Sequence, residues 1–379
     1  MILPAIIGIA IIANVLWEAF ETVVLPRRVT RRFRLAVLYY RSTWFAWRWW
    51  ARHIQKASRR ETFLSFFGPL SLLMLFVLWA LAIVFGFGLI YYSEGVRAGL
   101  APSLETCVYL SGTTMFTLGI GDVVPHSSVQ RLSVVLESGL GFGFLALVLS
   151  YLPVIYQVFS RREVNTVLLD ARAGSPPTAA ELLRRHAGTD GARDLERLLH
   201  GWERAAAEIL ESHISYPVVC YFRSQHNNES WLGAIVAVLD ACAILVSNHS
   251  GAVARQARLT FAVCRHTIVD LAQVFNAAPN TATDRLPGAE LERLRAALAH
   301  TEFQLMDTPE AIAKMEKLRA LYEPFALSLA GRFAIELPPF ILPREIADNW
   351  KTTAWGRITS ASRRATNPGV VDTQDAHAD

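Results

Sequence analysis

A six-residue stretch in the first third of the chain carries the most specific chemical signal, Thr117-Leu118-Gly119-Ile120-Gly121-Asp122. Glycines at alternate positions allow positive φ angles, so that successive carbonyl groups can face one axis. Such carbonyls, with a threonine hydroxyl at the inner end, can replace the water shell of a monovalent cation. The stretch therefore predicts an ion-selectivity filter with ligands from Thr117, Leu118, Gly119, Ile120 and Gly121. The alternative is an ordinary glycine-containing turn capped by Asp122.

A single chain supplies one such strip, and one strip cannot surround an ion. A closed ring needs several copies of the chain, and fourfold symmetry would place four strips around one pore. We therefore predict a homotetramer. An enzyme is not expected, because nearby sequence positions assemble no cluster of nucleophile, base and orienting residue and no resident metal site.

Composition places the chain in a membrane. Of its 379 residues, 52% are hydrophobic and 18% are charged, which is more apolar and less charged than an average soluble protein. Basic residues crowd between Arg27 and Arg60, beside apolar segments, and there they indicate a cytoplasmic membrane face rather than nucleic-acid binding. The cysteines lack metal-ligand spacing, and we expect them to be reduced and buried. They are Cys107, Cys220, Cys242 and Cys264.

Three apolar segments are long enough to cross a bilayer, residues 2–25, 67–92 and 128–160. Arginines follow the first and third segments, so the positive-inside rule predicts an external N-terminus and a cytoplasmic C-terminal region. A cleaved signal peptide is disfavoured, because no basic region precedes the first segment and no small-residue site follows it. Glu18 and Glu21, near its inner end, are predicted to reach interfacial water rather than other helices.

Residues 35–60 interleave aromatic and basic side chains. Aromatic rings favour the headgroup level and cations favour anionic lipid, so we predict an amphipathic helix on the inner leaflet, with lipid contact through residues 27–60. Arg28, Arg31 and Arg34 repeat at every third position, as in a voltage sensor. Their surroundings are too polar and too short to span a membrane, which disfavours that function.

A short segment precedes the filter stretch. Residues 104–116 are too few to cross a bilayer, and Ser103 is available as the N-cap. We predict a re-entrant helix whose partially negative C-terminal end points toward the cavity beneath the filter, where it favours a cation.

The third span contains an ionisable residue and three glycines. Glu137 is costly inside a membrane unless it has a polar partner. Its predicted partners are hydroxyls on the short helix, those of Ser111, Thr113 and Thr114. The glycines act either as a gating hinge or as small residues that permit close helix packing. They are Gly139, Gly141 and Gly143.

These elements together resemble the pore module of the two-transmembrane, pore-loop potassium channel family of prokaryotic type, over about residues 65–160. The family filter usually reads Thr-Val-Gly-Tyr-Gly-Asp. The matching residues are Thr117, Gly119, Gly121 and Asp122, whereas Leu118 and Ile120 differ. Spacings after Pro125 like those of prokaryotic members are found at Arg131, Glu137 and Gly141.

The resemblance implies an outer helix, a pore helix, a filter and an inner helix, assembled as a potassium-selective homotetramer. Asp122 and Glu137 would support the filter. The resemblance implies no cofactor, potassium being the permeant ion. The N-terminal span and its basic aromatic segment are additions to the minimal module.

The region after the pore changes to arginine, glutamate and alanine at helical periods, which predicts a cytosolic helical domain. Helix starts are indicated at Thr178 and Thr308. Residues 231–246 are apolar but short and interrupted by Asp240, so a buried bundle helix is favoured over a fourth span. A ligand is most plausible at the polar stretch 216–230, although such a stretch is commonly a capping loop.

His213 and His226 could form a proton or metal sensor, although a structural role is favoured. No glycine-rich nucleotide fingerprint follows a strand, so the regulatory ligand stays unknown.

We therefore predict an all-α, multi-pass protein of the plasma or inner membrane that conducts potassium through its filter, with opening regulated by the cytosolic domain. The predicted domains are an N-terminal transmembrane helix at 1–26, an interfacial segment at 27–62, a pore domain at 63–160, a helical domain at 161–360 and a disordered tail at 361–379. The alternative is a membrane-anchored signalling or scaffold protein with a non-conducting pore loop.

Overall fold

The computed structural model describes residues 2–25, 34–99, 103–225 and 228–343, and within these ranges all regular structure is helical. The α-helices are α1 Leu3–Ala19, α2 Leu35–Ala51, α3 Ala57–Ser65, α4 Phe67–Arg97, α5 Leu104–Met115, α6 Ser128–Ala173, α7 Ala179–Arg185, α8 Gly191–Ser215, α9 Trp231–Asn248, α10 Gly251–Val274, α11 Gly288–Leu298, α12 Pro309–Ala320 and α13 Glu323–Phe333. A π-helical turn, Phe20–Val24, follows α1, and a 3-10 segment, Pro217–Tyr221, follows α8.

Among the residues that the structure describes, four helical segments are long and apolar enough to cross a membrane: Leu3–Val23, Ala57–Arg97, Ser128–Ala173 and Trp231–Asn248. The protein is an all-α membrane protein, as predicted. Its residues fall into two compact units. One unit holds Met1–His53 with Phe66–Gln157, and the other holds Ile54–Ser65 with Val158–Asp379. The five predicted domain ranges stay predictions.

In the first unit α1 packs along α4. The two backbones approach so closely that a Cβ atom at Gly8 would lie 2.3 Å from the carbonyl oxygen of Gly86. At the end of α1, Glu18 is fully buried and accepts hydrogen bonds from the backbone amides of Leu35 and Ala36, at 2.9 and 3.0 Å. The prediction that Glu18 reaches interfacial water is therefore wrong, because its carboxylate caps the N-terminus of α2.

Glu21 is also buried. Its Oε1 accepts a hydrogen bond from Trp17 Nε1 at 2.7 Å, and its Oε2 lies 3.6 Å from Arg34 Nε. The interfacial prediction is wrong for this residue as well. An ion pair and an indole N–H take the place of the water that the sequence alone suggested.

The basic aromatic segment forms two helices rather than one. The chain leaves helical geometry after Ala51 and resumes it at Ala57, so the prediction of a single amphipathic helix over residues 35–60 is wrong. Part of its aromatic content packs inward: the rings of Trp44 and Phe67 lie 4.8 Å apart, and Tyr39 donates a hydrogen bond to the Ser71 carbonyl at 3.0 Å. The exposed aromatic residues of α2 are Phe45, Trp49 and Trp50.

The inner helix α6 runs past the predicted end of its span at residue 160 and ends at Ala173. Arg161 and the residues after it continue the helix, because the end of an apolar stretch does not end helical hydrogen bonding. The helix stops at Gly174, whose φ of +86° ends the regular geometry.

The second unit is a helical bundle built around α9. Helices α7, α10, α12 and α13 pack against α9, and α8 packs mainly against α10. Although α9 is apolar enough to cross a membrane, 94% of it is buried inside the chain, which agrees with the predicted bundle helix. Side-chain caps are present at Thr178 and Thr308, as predicted. All four cysteines are free and buried, also as predicted.

Some predictions concern residues outside the described ranges. They are the arginine cluster at Arg27, Arg28, Arg31 and Arg32, the possible histidine partner His226, and the tail at 361–379. These stay predictions.

Candidate functional site

Helix α5 presents the filter stretch at its C-terminus. The Ser103 hydroxyl accepts a hydrogen bond from the Thr106 amide at 3.1 Å, so the predicted N-cap is confirmed. At the other end, the amide of Leu118 donates to the Thr113 carbonyl at 2.8 Å and the amide of Thr117 donates to the Thr114 carbonyl at 3.0 Å. This pair of bonds is a Schellman motif, and it fixes the direction in which the chain leaves the helix.

The φ angles along the filter stretch alternate between positive and non-positive values. Thr117, Gly119 and Gly121 have φ angles of +55°, +57° and +82°, whereas Leu118 and Ile120 between them do not have positive φ. Alternation of this kind turns successive peptide groups toward the same side of the strip. The predicted need for positive φ at the glycines is confirmed. The role of these residues as ion ligands stays a prediction.

Thr117 is the unexpected member of this series. A β-branched residue with positive φ is uncommon, and glycine is the ordinary residue at this position of a Schellman motif. The left-handed conformation costs a residue with a side chain about 1–2 kcal/mol. Because strained backbone clusters at functional sites, the positive φ makes Thr117 a candidate functional residue.

The side chains of the filter stretch face outward from the single chain. Leu118 and Ile120 are 64% and 60% exposed. Behind them, the Tyr109 hydroxyl on α5 donates a hydrogen bond to Asp122 Oδ2 at 3.0 Å. Asp122 thus contacts α5, the helix that precedes the stretch 117–122. Sequence reasoning missed Tyr109, because no local pattern pairs it with a residue thirteen positions later.

Glu137 lies where three helices meet. It is fully buried on α6, and the Tyr91 hydroxyl on α4 donates to its Oε2 at 2.6 Å. Ser111 Oγ on α5 lies within hydrogen-bonding distance of its Oε1. The predicted partner Ser111 is therefore confirmed. The predicted partners Thr113 and Thr114 are wrong, because both hydroxyls donate instead to the Leu110 carbonyl of their own helix, at 2.9 and 2.8 Å.

Tyr91 was missed as a partner of Glu137. In the sequence it lies next to the end of the predicted span 67–92, and no local pattern marks it as a hydrogen-bonding partner. In the structure α4 continues to Arg97 and Tyr91 is fully buried. Its position 46 residues before Glu137 leaves no local signal.

The three glycines of α6 differ in their surroundings. A Cβ atom at Gly141 would lie 2.2 Å from the Met115 carbonyl oxygen at the end of α5, whereas Cβ atoms at Gly139 and Gly143 would meet nothing within 4 Å in the described chain. Gly141 therefore permits close packing of α6 on α5. The hinge assignments of Gly139, Gly141 and Gly143 stay predictions.

The second unit holds its own buried polar cluster. Arg162 donates to the carbonyls of Val219 and Phe222 at 3.0 and 2.9 Å and pairs with Glu163 at 3.0 Å. Its Nη1 lies 3.4 Å from His213 Nε2. Burial, reinforced by the adjacent guanidinium of Arg162, holds the pKa of His213 well below its ordinary value.

That environment keeps His213 neutral near physiological pH, which agrees with a structural role for this residue. The predicted sensor pair cannot be placed, because its other member lies outside the described residues. The polar stretch after Tyr216 also contacts this cluster, since Ser224 Oγ and the Gln225 amide both donate to Glu163 at 3.2 Å.

Comparison with known proteins agrees with this pore geometry. An uncharacterized membrane protein YdjJ of Bacillus subtilis (strain 168) is 27% identical over 184 residues, which is 47% of this chain and 52% of that protein. The chain thus spans about half the length of this relative. No solved structure matches the chain. Residues 78–157 match a family model described as an ion channel. The predicted resemblance to an ion channel family is confirmed over this range.

Proposed function

We propose that the protein is a homotetrameric channel that conducts potassium passively through a ring of backbone carbonyls. The observation that carries this proposal is the alternation of positive φ at Thr117, Gly119 and Gly121, immediately after the C-terminus of α5. Carbonyls on one side of four such strips would replace the hydration shell of a monovalent cation. The α5 end carries partial negative charge, which favours a cation nearby.

The exposed surface of the first unit supports a homotetramer. Only 11% of the most apolar part of α6 is buried inside the chain. Val135 and Phe142 on this helix are 68% and 71% exposed. The side chains of Leu118 and Ile120 in the filter stretch are also exposed. Lipid covers some of these groups, but the filter strip needs further copies to close a ring.

Potassium is the favoured ion because the resemblance includes both filter glycines and Thr117. Leu118 and Ile120 replace the family's usual valine and tyrosine, so a tyrosine hydroxyl cannot brace the strip at position 120. The hydrogen bond from Tyr109 to Asp122 supplies a brace from α5 instead. This bond supports the assignment of Asp122 to filter support.

The membrane arrangement follows from the charge pattern. The protein is a multi-pass protein of the plasma or inner membrane, with its N-terminus outside and its helical bundle in the cytoplasm. Phe45, Trp49 and Trp50 on α2, with Arg41 and Arg52 on the same helix or at its end, contact the inner leaflet. The bundle regulates opening, through a ligand that the described residues do not identify.

Reconstitution tests the proposal. Purified protein in liposomes should pass potassium or rubidium down its gradient, exclude sodium and be blocked by barium, and its mass in detergent should be that of four chains. Protein-free liposomes are the control. A stable dimer with no flux under any tested condition would contradict the proposal and favour a scaffold. If sodium passes as readily as potassium, the protein conducts cations but the proposed potassium selectivity is contradicted.

A further inference from the structure

Three hydrogen-bonding contacts meet around Glu137, and each contact needs one proton. Tyr91 Oη lies 2.6 Å from Glu137 Oε2, Ser111 Oγ contacts Glu137 Oε1, and the same Ser111 Oγ lies 2.8 Å from the Val84 carbonyl oxygen. A backbone carbonyl only accepts, so the contact with Val84 uses the single proton of Ser111. The contact with Tyr91 uses the phenolic proton.

The remaining contact, between Ser111 Oγ and Glu137 Oε1, then has no proton left from Ser111. An ionised carboxylate only accepts hydrogen bonds, whereas a protonated carboxyl group donates one. All three contacts are satisfied together only if Glu137 carries a proton and donates it to Ser111 Oγ. We infer that Glu137 is a neutral carboxylic acid, a proton-binding site that joins α6 to α4 and α5.

The surroundings of Glu137 agree with the neutral form. The residue is fully buried on a helix that can cross a membrane. Its described polar contacts are the hydroxyls of Tyr91 from α4 and Ser111 from α5, and Tyr91 is the titratable group among them. No Lys, Arg or His of the described ranges forms an ion pair with Glu137. A buried carboxylate without a cation is costly, and the cost is removed by protonation.

A neutral Glu137 acts as a positioning residue. It holds α5, whose C-terminus carries the filter, against the inner and outer helices through hydrogen bonds alone. It does so without a second negative site that would attract the permeant cation away from the carbonyl strip. This inference deepens the proposed function and rests on it for the flux measurement, but the protonation state itself does not depend on conduction.

Infrared spectroscopy of the full-length protein tests the proton directly. Near neutral pH, the wild-type spectrum should contain the C=O stretching band of a protonated carboxyl group that is missing from Glu137→Gln. Spectra that do not differ in this region would overturn the inference. The infrared result does not depend on ion flux. If the protein fails to conduct, the proposed function is contradicted, but the infrared spectra still test whether Glu137 is protonated.

Flux measurements test the positioning role. In Glu137→Gln the amide can donate to Ser111 and its carbonyl oxygen can accept from Tyr91, so potassium flux should stay within about threefold of wild type. In Glu137→Ala both contacts are lost, and flux per tetramer should fall about tenfold or more. If Glu137→Gln loses as much flux as Glu137→Ala while its mass and infrared helix bands stay normal, a charge is required and the inference is wrong.

Discussion

Helices α6 and α9 are both apolar enough to cross a membrane, yet they are covered in opposite ways. Inside the chain, 94% of α9 is buried, compared with 11% of the most apolar part of α6. The first unit leaves most of the apolar part of α6 and the side chains of Leu118 and Ile120 exposed, whereas the second unit covers α9 with α7, α10, α12 and α13. Apolar composition alone therefore does not distinguish a helix that needs lipid or further copies from one that completes a bundle.

The buried acidic residues of α9 and α6 also differ, in the charge of their partners. Asp240 on α9 forms a bidentate ion pair with Arg285, at 3.1 and 2.7 Å, and also accepts from the Tyr322 hydroxyl. Glu137 on α6 contacts hydroxyl groups only among the described residues. In the second unit a buried carboxylate pairs with an opposite charge, whereas in the first unit the buried carboxyl group of Glu137 contacts hydroxyl groups.

The largest expected effect concerns the bundle. Asp240→Ala leaves the Arg285 guanidinium, only 7% exposed, without its carboxylate. Loss of one member of a buried pair should lower the free energy of unfolding by about 3–5 kcal/mol. Denaturant unfolding of the full-length protein, followed by near-UV circular dichroism, measures the change.

The matched control for this substitution is Asp194→Ala. It removes an ion pair with Arg197 whose side chains are 58% and 72% exposed, and it should cost less than about 1 kcal/mol. Equal effects of the two substitutions would show that burial of the Asp240 pair contributes nothing.

The next effect concerns the packing of α6 on α5. In Gly141→Ala the new Cβ would lie 2.2 Å from the Met115 carbonyl oxygen, so the helices must separate. Overpacking of this kind costs about 1–3 kcal/mol. We expect lower thermal stability of the tetramer and reduced potassium flux.

Gly139→Ala is the control on the same helix, because its Cβ meets nothing within 4 Å in the described chain. It should preserve stability. Normal stability with reduced flux in this variant would support the predicted hinge, whereas equal destabilisation by both alanines would contradict the packing role of Gly141.

Alanine in the filter should affect conduction more than folding. Gly119 has a φ of +57°, and alanine in that conformation costs about 1–2 kcal/mol. The strip would relax and its carbonyls would turn, so Gly119→Ala should abolish flux or remove its selectivity. The same reasoning applies to Gly121→Ala.

Gly99 provides the control, since it has a φ of +76° and lies outside the filter stretch, and no atom of the described residues lies within 4 Å of its Cβ position. Gly99→Ala carries a similar backbone strain and should retain the wild-type ratio of potassium to sodium flux. Wild-type flux through Gly119→Ala would remove the filter assignment.

The smallest effect should come from the brace behind the filter. Tyr109→Phe removes an exposed hydrogen bond of 3.0 Å to Asp122, which water competes for, so its loss should cost little stability. The potassium-to-sodium ratio should fall while the tetramer persists.

Tyr39→Phe removes another tyrosine hydrogen bond of 3.0 Å in the same unit, away from the filter, and should leave the ratio unchanged. An unchanged ratio in both variants would exclude Tyr109 from filter support.

Local features were predicted well because their causes lie within a few residues. The Ser103, Thr178 and Thr308 caps each contact an amide three positions later, and the filter glycines need only their own backbone freedom. Long-range polar partners were predicted poorly. Glu18 was assigned to water because the sequence does not indicate that the start of α2, seventeen residues later, folds back onto it.

By itself, the sequence determined the apolar segments, the helix caps and the alternating glycines, because hydrophobic transfer and local backbone preference act within one segment. Only the tertiary structure decided which helices cover α9, that Gly141 touches the end of α5, and that Glu137 meets Tyr91. A buried polar or small side chain is matched to whatever lies nearest in space, and residues far apart in sequence supply those neighbours.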